Sequence, residues 1–213
     1  MPVLYGVGVG PGDPELLTLK AVRILGRVPV VFHPAAGGEG EGVALGIVRG
    51  VLGPKARIVA SVLAAGGEGA FVTEGDPLLY STFQHLLAAL PEEAPEVRIE
   101  VVPGVSAMTA AAAAARFPLV RGAERLAVLP ASRVLADDPS MLLRVLEEYD
   151  AVVLLKVARV FDRVLPVLQQ ARCEAVLVER CGMPGERIVD DPASLAGERL
   201  DYFSLLLVRR APS

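Results

Sequence analysis

The sequence predicts an α/β protein of two α/β domains, the N-terminal one on a parallel sheet and the C-terminal one on a mixed sheet, with a cleft between them. Three observations carry this. Up to about residue 117, short apolar runs alternate with segments of helical spacing, the pattern of a parallel sheet crossed by helices. Phe117-Pro118 through Gly122 then reads as a linker. Beyond it, Arg187-Ile188-Val189 and the run from Tyr202 follow one another without a long helix, which asks for an antiparallel end to the second sheet. The expected domains are 1–117 and 118–213.

Taken in order, Val3 to Val9 is β-branched, apolar and bounded by glycines, so it reads as a central parallel strand. Asp13 caps a helix that begins at Pro14 and carries Leu16, Leu19, Val22 and Ile24 to an end near Gly26. Val28 to Phe32 is a second strand, 35–42 a loop, Val43 to Leu52 a short helix, and Arg57 to Val62 a third strand. A loose connection at Ala64 to Gly67 leads to the strand Ala70 to Thr73, and a helix follows from Phe83 to Leu90. Val97 to Val102 ends in Pro103-Gly104-Val105-Ser106-Ala107 and enters a small-residue helix that Ser106 can cap and that runs to Arg116. In the second half, Leu126 to Leu129, Ala151 to Lys156, Ala175 to Glu179 and Tyr202 to Arg209 read as strands. Helices at Ser140 to Glu148 and Val160 to Arg172 fall between the first three.

Composition narrows the function classes. At 213 residues, 53% hydrophobic and with a mean hydropathy of +0.48, the chain can bury a large core and lies far from the disordered class. No apolar run is long enough to cross a bilayer, and Met1 to Tyr5 enter a strand without a basic leader, so a soluble cytoplasmic protein is expected. A net charge of −4 and a pI near 5.3 argue against general nucleic-acid binding. Cys173 and Cys181, His33 and His85 match no zinc or redox spacing, so no metal is expected.

Two turns stand out. Gly12-Asp13-Pro14 and Gly75-Asp76-Pro77 each stop a strand and open a helix, leaving backbone N–H groups pointing outward where ligands of open α/β sheets bind. Two such turns suggest two walls of one cleft, although Asp-Pro is also ordinary helix-start chemistry. Neither is a nucleotide fingerprint: from Gly8, Asp13 stands where the third glycine of the dinucleotide motif belongs, and no Gly-Lys-Ser/Thr is present. What remains is a glycine-rich backbone that something flat can approach.

These stretches together resemble the tetrapyrrole methylase family. The resemblance rests on Gly8 to Ala21, Glu74-Gly75-Asp76-Pro77, Val102 to Ala107, and Val178-Glu179-Arg180 followed by Gly182, in that order over most of the chain. Within the family, Tyr80-Ser81-Thr82-Phe83, Leu154 to Val157 and Tyr202 to Leu205 look most like the branch that methylates C20 of precorrin-2 or its cobalt form. The resemblance implies S-adenosylmethionine as methyl donor, a small-molecule tetrapyrrole as substrate, and a homodimer. It implies that Gly75, Asp76, Leu79, Ser81, Thr82, Ser106 and Ala107 border the donor, with Lys156, Cys181 and Gly182 as a wall from the second domain and Pro11 beside both ligands. One departure is that the stretch from Leu52 to Phe71 is about twenty residues shorter than that branch suggests, by comparison of loop lengths.

Methyl transfer from a sulfonium to carbon is an in-line displacement that needs alignment more than a metal. A proton must then leave the acceptor carbon. Asp76 is the candidate to take it or to orient the ring, with Lys156 to pair with Asp76 or a substrate carboxylate and Tyr202 to hydrogen-bond the macrocycle. The alternatives are a plain helix cap, an edge charge and a core residue, respectively. Lys20, Arg116, Arg121, Arg133 and Arg159 are further candidates for substrate carboxylates.

Overall fold

The computed structural model describes residues 2–33, 57–58, 67–137 and 139–210. The expected loop at 35–42, the helix at 43–52, the third strand past residue 58 and most of the shortened 52–71 stretch lie outside the described residues. Two compact units emerge, Met1–Ala107 and Met108–Ser213.

The first unit holds a parallel sheet in the order β3-β2-β4-β1-β5. Its strands are β1 (Val3–Gly8), β2 (Val30–Phe32), β3 (Arg57–Ile58), β4 (Glu68–Thr73) and β5 (Arg98–Val102). Every residue of β1 is buried, as a strand covered on both faces must be. Its alternate side chains serve two cores. Val3, Tyr5, Val7 and Val9 pack under α1 (Leu19–Leu25) through Ala21, Ile24 and Leu25. Leu4 lies on the other face with Phe83 and Leu90 of α2 (Phe83–Glu93). The helices that follow the neighbouring strands β1 and β4 therefore cover opposite faces of the sheet. That arrangement is a topological switch point, and it opens a crevice at the carboxyl ends of β1 and β4.

The expected single helix from Pro14 to Gly26 is two pieces. A 3-10 turn, Pro14–Leu16, is capped by Asp13, and the chain extends at Leu17 before α1 starts on its own cap, where Thr18 Oγ1 accepts from Ala21 N at 3.2 Å. A second capping residue within one turn of the first explains the break.

The second unit carries β6 (Leu126–Pro130), β7 (Ala151–Leu155), β8 (Cys173–Glu179), β9 (Arg187–Val189) and β10 (Ser204–Arg210) in the order β6-β7-β10-β8-β9. β6 and β7 run parallel, while β10 is antiparallel to both its neighbours, which makes the sheet mixed. Its core is formed by Val152, Leu154, Leu177, Leu206 and Val208 with Leu142 and Leu146 of α5 (Pro139–Glu148) and Val164, Leu165 and Leu168 of α6 (Phe161–Ala171). Two elements escape the sequence reading: α3 (Ala107–Ala114) is shorter than expected, and Ala131–Asp137 forms a helix of its own, α4. The compact units part at Ala107/Met108, ahead of the expected 117/118 boundary, and Arg209 of β10 ties down the linker that follows α3. Its guanidinium holds both Glu124 oxygens at 2.8 and 2.9 Å and the Pro118 carbonyl at 2.8 Å.

Candidate active site

At the crevice of the first unit the strand-end turns are joined backbone to backbone. Val9 N donates to Thr73 O at 3.0 Å and Gly75 N to Gly10 O at 2.8 Å, so beyond the parallel β1–β4 ladder the two turns meet in an isolated antiparallel bridge. β5 closes in from the other side. A Cβ on Gly104 would stand 2.2 Å from Gly75 O and 2.8 Å from backbone atoms of Gly8, and one on Gly8 would stand 2.5 Å from Gly75 O and 2.7 Å from backbone atoms of Gly104. At Gly8 and Gly104 the missing Cβ admits neighbouring backbone.

Asp76 binds this junction together. Its Oδ1 accepts from Leu78 N at 2.9 Å, an Asx turn, and its Oδ2 accepts from Gly104 N at 3.0 Å, the loop after β5. It is thus more than a plain helix cap, since it fixes one strand-end loop to another. Ser81, rather than Thr82, caps α2: Ser81 Oγ accepts from Phe83 N at 3.1 Å and lies 2.9 Å from Thr73 Oγ1. Thr82 is exposed and its side chain makes no cap bond. Leu79 is half-buried, Pro11 is buried, and Gly75 sits at φ +66 with Ser106 and Ala107, the start of α3, next to it. Gly75, Asp76, Leu79, Ser106 and Ala107 therefore form one neighbourhood.

Sequence reading passed over Tyr80, which takes φ +53 in the same turn and is 44% exposed. A bulky residue in the left-handed region costs about 1–2 kcal/mol, and such residues cluster at ligand-binding turns. Its neighbours Gly75-Asp76-Pro77 were the signal available, since the turn had to close somewhere before α2.

In the second unit the remaining candidates gather along one sheet edge. β10 begins at Ser204, opposite Glu179, with Leu205 opposite Leu155, so the ends of β7 and β8 flank its start. Both strands end on a basic residue in the left-handed region, Lys156 at φ +57 and Arg180 at φ +52. Lys156 is exposed. Tyr202 is 60% exposed and stacks edge-on against Phe203 with ring centroids 5.2 Å apart, so it is not a core residue.

Cys181 is buried, and burial together with the nearby Glu186 carboxylate pushes its thiol up to about 11, so it is a neutral wall and not a nucleophile. Gly182 turns at φ +71 and donates to Glu186 Oε2 at 2.7 Å. Among the five basic candidates, Arg116, Arg121, Arg133 and Arg159 are exposed, and Lys20 lines a groove with Arg23 and Arg27 instead. No cluster of three or more metal-ligating side chains occurs among the described residues.

The residues fit a zwitterionic cofactor. Gly75 lies beside the amino end of an eight-residue helix, α3, and the N–H groups at a helix start favour a carboxylate. In the second unit, turns held in left-handed conformations present backbone groups at one edge.

An α/β chain with glycine-rich turns at the strand ends of a topological switch point is the class this fold defines. The chain belongs to the tetrapyrrole (corrin/porphyrin) methylases, whose family profile matches residues 3–196. It is 36% identical to a precorrin-2 C(20)-methyltransferase of Sinorhizobium sp, covering 96% of this chain and 94% of that one. It is 33% identical to the cobalt-precorrin-2 C(20)-methyltransferase of Salmonella typhimurium, covering 97% and 96%. Among solved structures, a uroporphyrin-III-C-methyltransferase from Thermus thermophilus superposes with a TM-score of 0.72 at 27% identity, covering 98% of this chain and 94% of that one. The Sinorhizobium match spans 240 positions against the 213 residues here, so that relative carries residues this chain lacks.

Proposed function

We propose that the protein transfers a methyl group from S-adenosylmethionine to C20 of precorrin-2 or of its cobalt-bearing form, as a step of cobalamin biosynthesis. The observation that carries this is the end-to-end similarity to two C20-methyltransferases, with more than nine-tenths of each chain covered. The same proposal makes it a cytoplasmic homodimer acting on a small-molecule tetrapyrrole rather than on nucleic acid. In support, no helix among the described residues is long and apolar enough to cross a membrane.

Bound S-adenosylmethionine supplies an electrophilic methyl carbon on a sulfonium. In the proposed reaction the nucleophilic meso carbon C20 forms the new bond, the carbon–sulfur bond breaks with its electron pair going to sulfur, and a proton leaves C20. The backbone of Gly75, Leu79, Ser106 and Ala107 positions the donor, with Pro11, Ser81 and Thr82 at the margin of the same turns. Lys156, Cys181 and Gly182 are the donor-binding candidates of the second unit. Alignment is the main contribution asked of these groups, because displacement requires the reacting atoms in line at about 3–3.5 Å. Asp76, already oriented by Leu78 N and Gly104 N, keeps free lone pairs on both oxygens and is the proposed proton acceptor. Lys156 pairs with a substrate carboxylate and Tyr202 hydrogen-bonds the ring.

The test is mass spectrometry of an anaerobic reaction of the purified protein with S-adenosylmethionine and precorrin-2, with and without cobalt. One added methyl, mapped to C20 by NMR, is expected. A methyl on another carbon, or turnover only on uroporphyrinogen III, would replace this reading with that of a sister methylase. Cofactor binding without any methyl transfer would make the protein a binder.

A further inference from the structure

The second unit buries one carboxylate that the proposed mechanism does not use. Glu179, at the end of β8, is 4% exposed. Its Oε1 accepts from Asp201 N at 2.7 Å and lies 3.1 Å from Ser204 Oγ, whose single proton is shared with the Asp201 carbonyl, and its Oε2 accepts from Arg187 Nε of β9 at 2.5 Å. Asp201 in turn accepts from Arg180 Nη1 at 3.0 Å and from Phe203 N at 2.8 Å, while Arg180 Nε reaches Pro184 O at 2.9 Å. The Arg180–Gly182 turn and the 201–203 segment are joined by Arg180 N, which donates to Phe203 O at 2.8 Å, and by the Arg180–Asp201 pair, and Glu179 anchors Asp201 beneath them. Neither has regular secondary structure to hold it.

Burying a charge is costly unless it is fully hydrogen-bonded, and an apolar residue would stabilise β8 at least as well. The partners Glu179 chooses are informative: two of its three bonds fix the start of the Tyr202 segment, and the third draws in β9. We propose that Glu179 is a positioning residue for the cofactor wall. Through Asp201 and Ser204 it sets the placement of Cys181, Gly182 and Tyr202, and so the affinity for S-adenosylmethionine. It touches no ligand itself. This inference rests on the methyltransferase reading.

The experiment is calorimetric titration of S-adenosylhomocysteine into the wild type, Glu179→Ala and Glu179→Gln, alongside thermal unfolding of each. The amide oxygen of Gln still accepts from Asp201 N and Ser204 Oγ but loses the ion pair with Arg187. Glu179→Ala is expected to raise Kd about tenfold, the loss of roughly one hydrogen bond's worth of order. Glu179→Gln is expected to restore binding to within about twofold while remaining less stable than wild type. If Glu179→Ala fails to fold, Ser204→Ala removes one arm without stranding a charge and should raise Kd by about threefold. Lower Tm with unchanged Kd in every folded variant would overturn the proposal, leaving Glu179 a purely structural residue. A wild type that binds neither S-adenosylhomocysteine nor S-adenosylmethionine would instead overturn the functional reading on which it stands.

Discussion

At the carboxyl edge of the first sheet, backbone meets backbone: Gly8, Gly75 and Gly104 lie in mutual contact, and the one ionisable side chain involved, Asp76, is held by two peptide N–H groups. At the edge of the second sheet where β7 and β8 end, side chains do the joining, through Glu179, Arg180, Arg187 and Asp201. The first construction has no room for a side chain and little net charge to titrate. The second tolerates changes of size at its exposed members but depends on ionised groups. A ligand turn can therefore be fixed either by excluding atoms or by pairing charges, and the two respond to different perturbations.

The largest expected effect breaks the first construction. Gly104→Ala should cost about 3 kcal/mol or more, because its methyl meets main-chain oxygen and carbon atoms that cannot swing aside. Gly122→Ala is the control: nothing lies within 4 Å of its Cβ position, and only the penalty of φ +54 remains, about 1 kcal/mol. Equal shifts of Tm in the two variants would contradict the close-packed junction.

Next comes Asp76, where binding and chemistry can be separated. Asp76→Asn should lower turnover by about 100-fold or more and also lower Tm, since its one amide oxygen can accept from only one of the two peptide N–H groups that Asp76 holds. Near-normal turnover would reduce Asp76 to a clamp. Asp76→Ala should lose stability as well, by about 1–3 kcal/mol, because Gly104 N is left without an acceptor.

The charge-paired edge is sharpened by acid. The Phe203 N–H, with the Arg180 guanidinium, holds the Asp201 carboxyl below its ordinary 3.8. A depressed folded-state value means that this contribution is present above pH 3.8 and is lost as pH falls through the depressed value. Asp201→Asn should flatten that part of the stability–pH curve measured by urea unfolding. The smallest effect is alkaline. With Cys181 raised from 9.0 to about 11, its contribution is complete below pH 9 and fades between the two values. At pH 8 iodoacetamide should label folded protein far more slowly than unfolded protein, and fast labelling would mean an open thiol.

Much of the fold was legible because it depends on local pattern. Continuous β-branched runs such as Val3 to Val9 mark strands covered on both faces, and the missing helix before Tyr202 marked the antiparallel strand. The turn residues of the candidate site were legible too, since Gly-Asp-Pro constrains backbone wherever it occurs. Less visible were features set by neighbours distant in sequence. Thr18 competed with Asp13 for the start of a helix, and Ala131–Asp137 carried no turn signal to separate it from β6.

By itself, then, the sequence determined the two sheets, their parallel and mixed character, and the motifs that mark the family, because apolar periodicity and turn chemistry act within a few residues. Only the tertiary structure decided what the strand-end glycines are for. Gly8 and Gly104 are 96 positions apart in the numbering, yet their close approach leaves no space for a Cβ. It likewise decided that Glu179 reaches Arg187, Asp201 and Ser204, because the antiparallel register of β10 brings Ser204 opposite Glu179 and no local signal encodes that pairing.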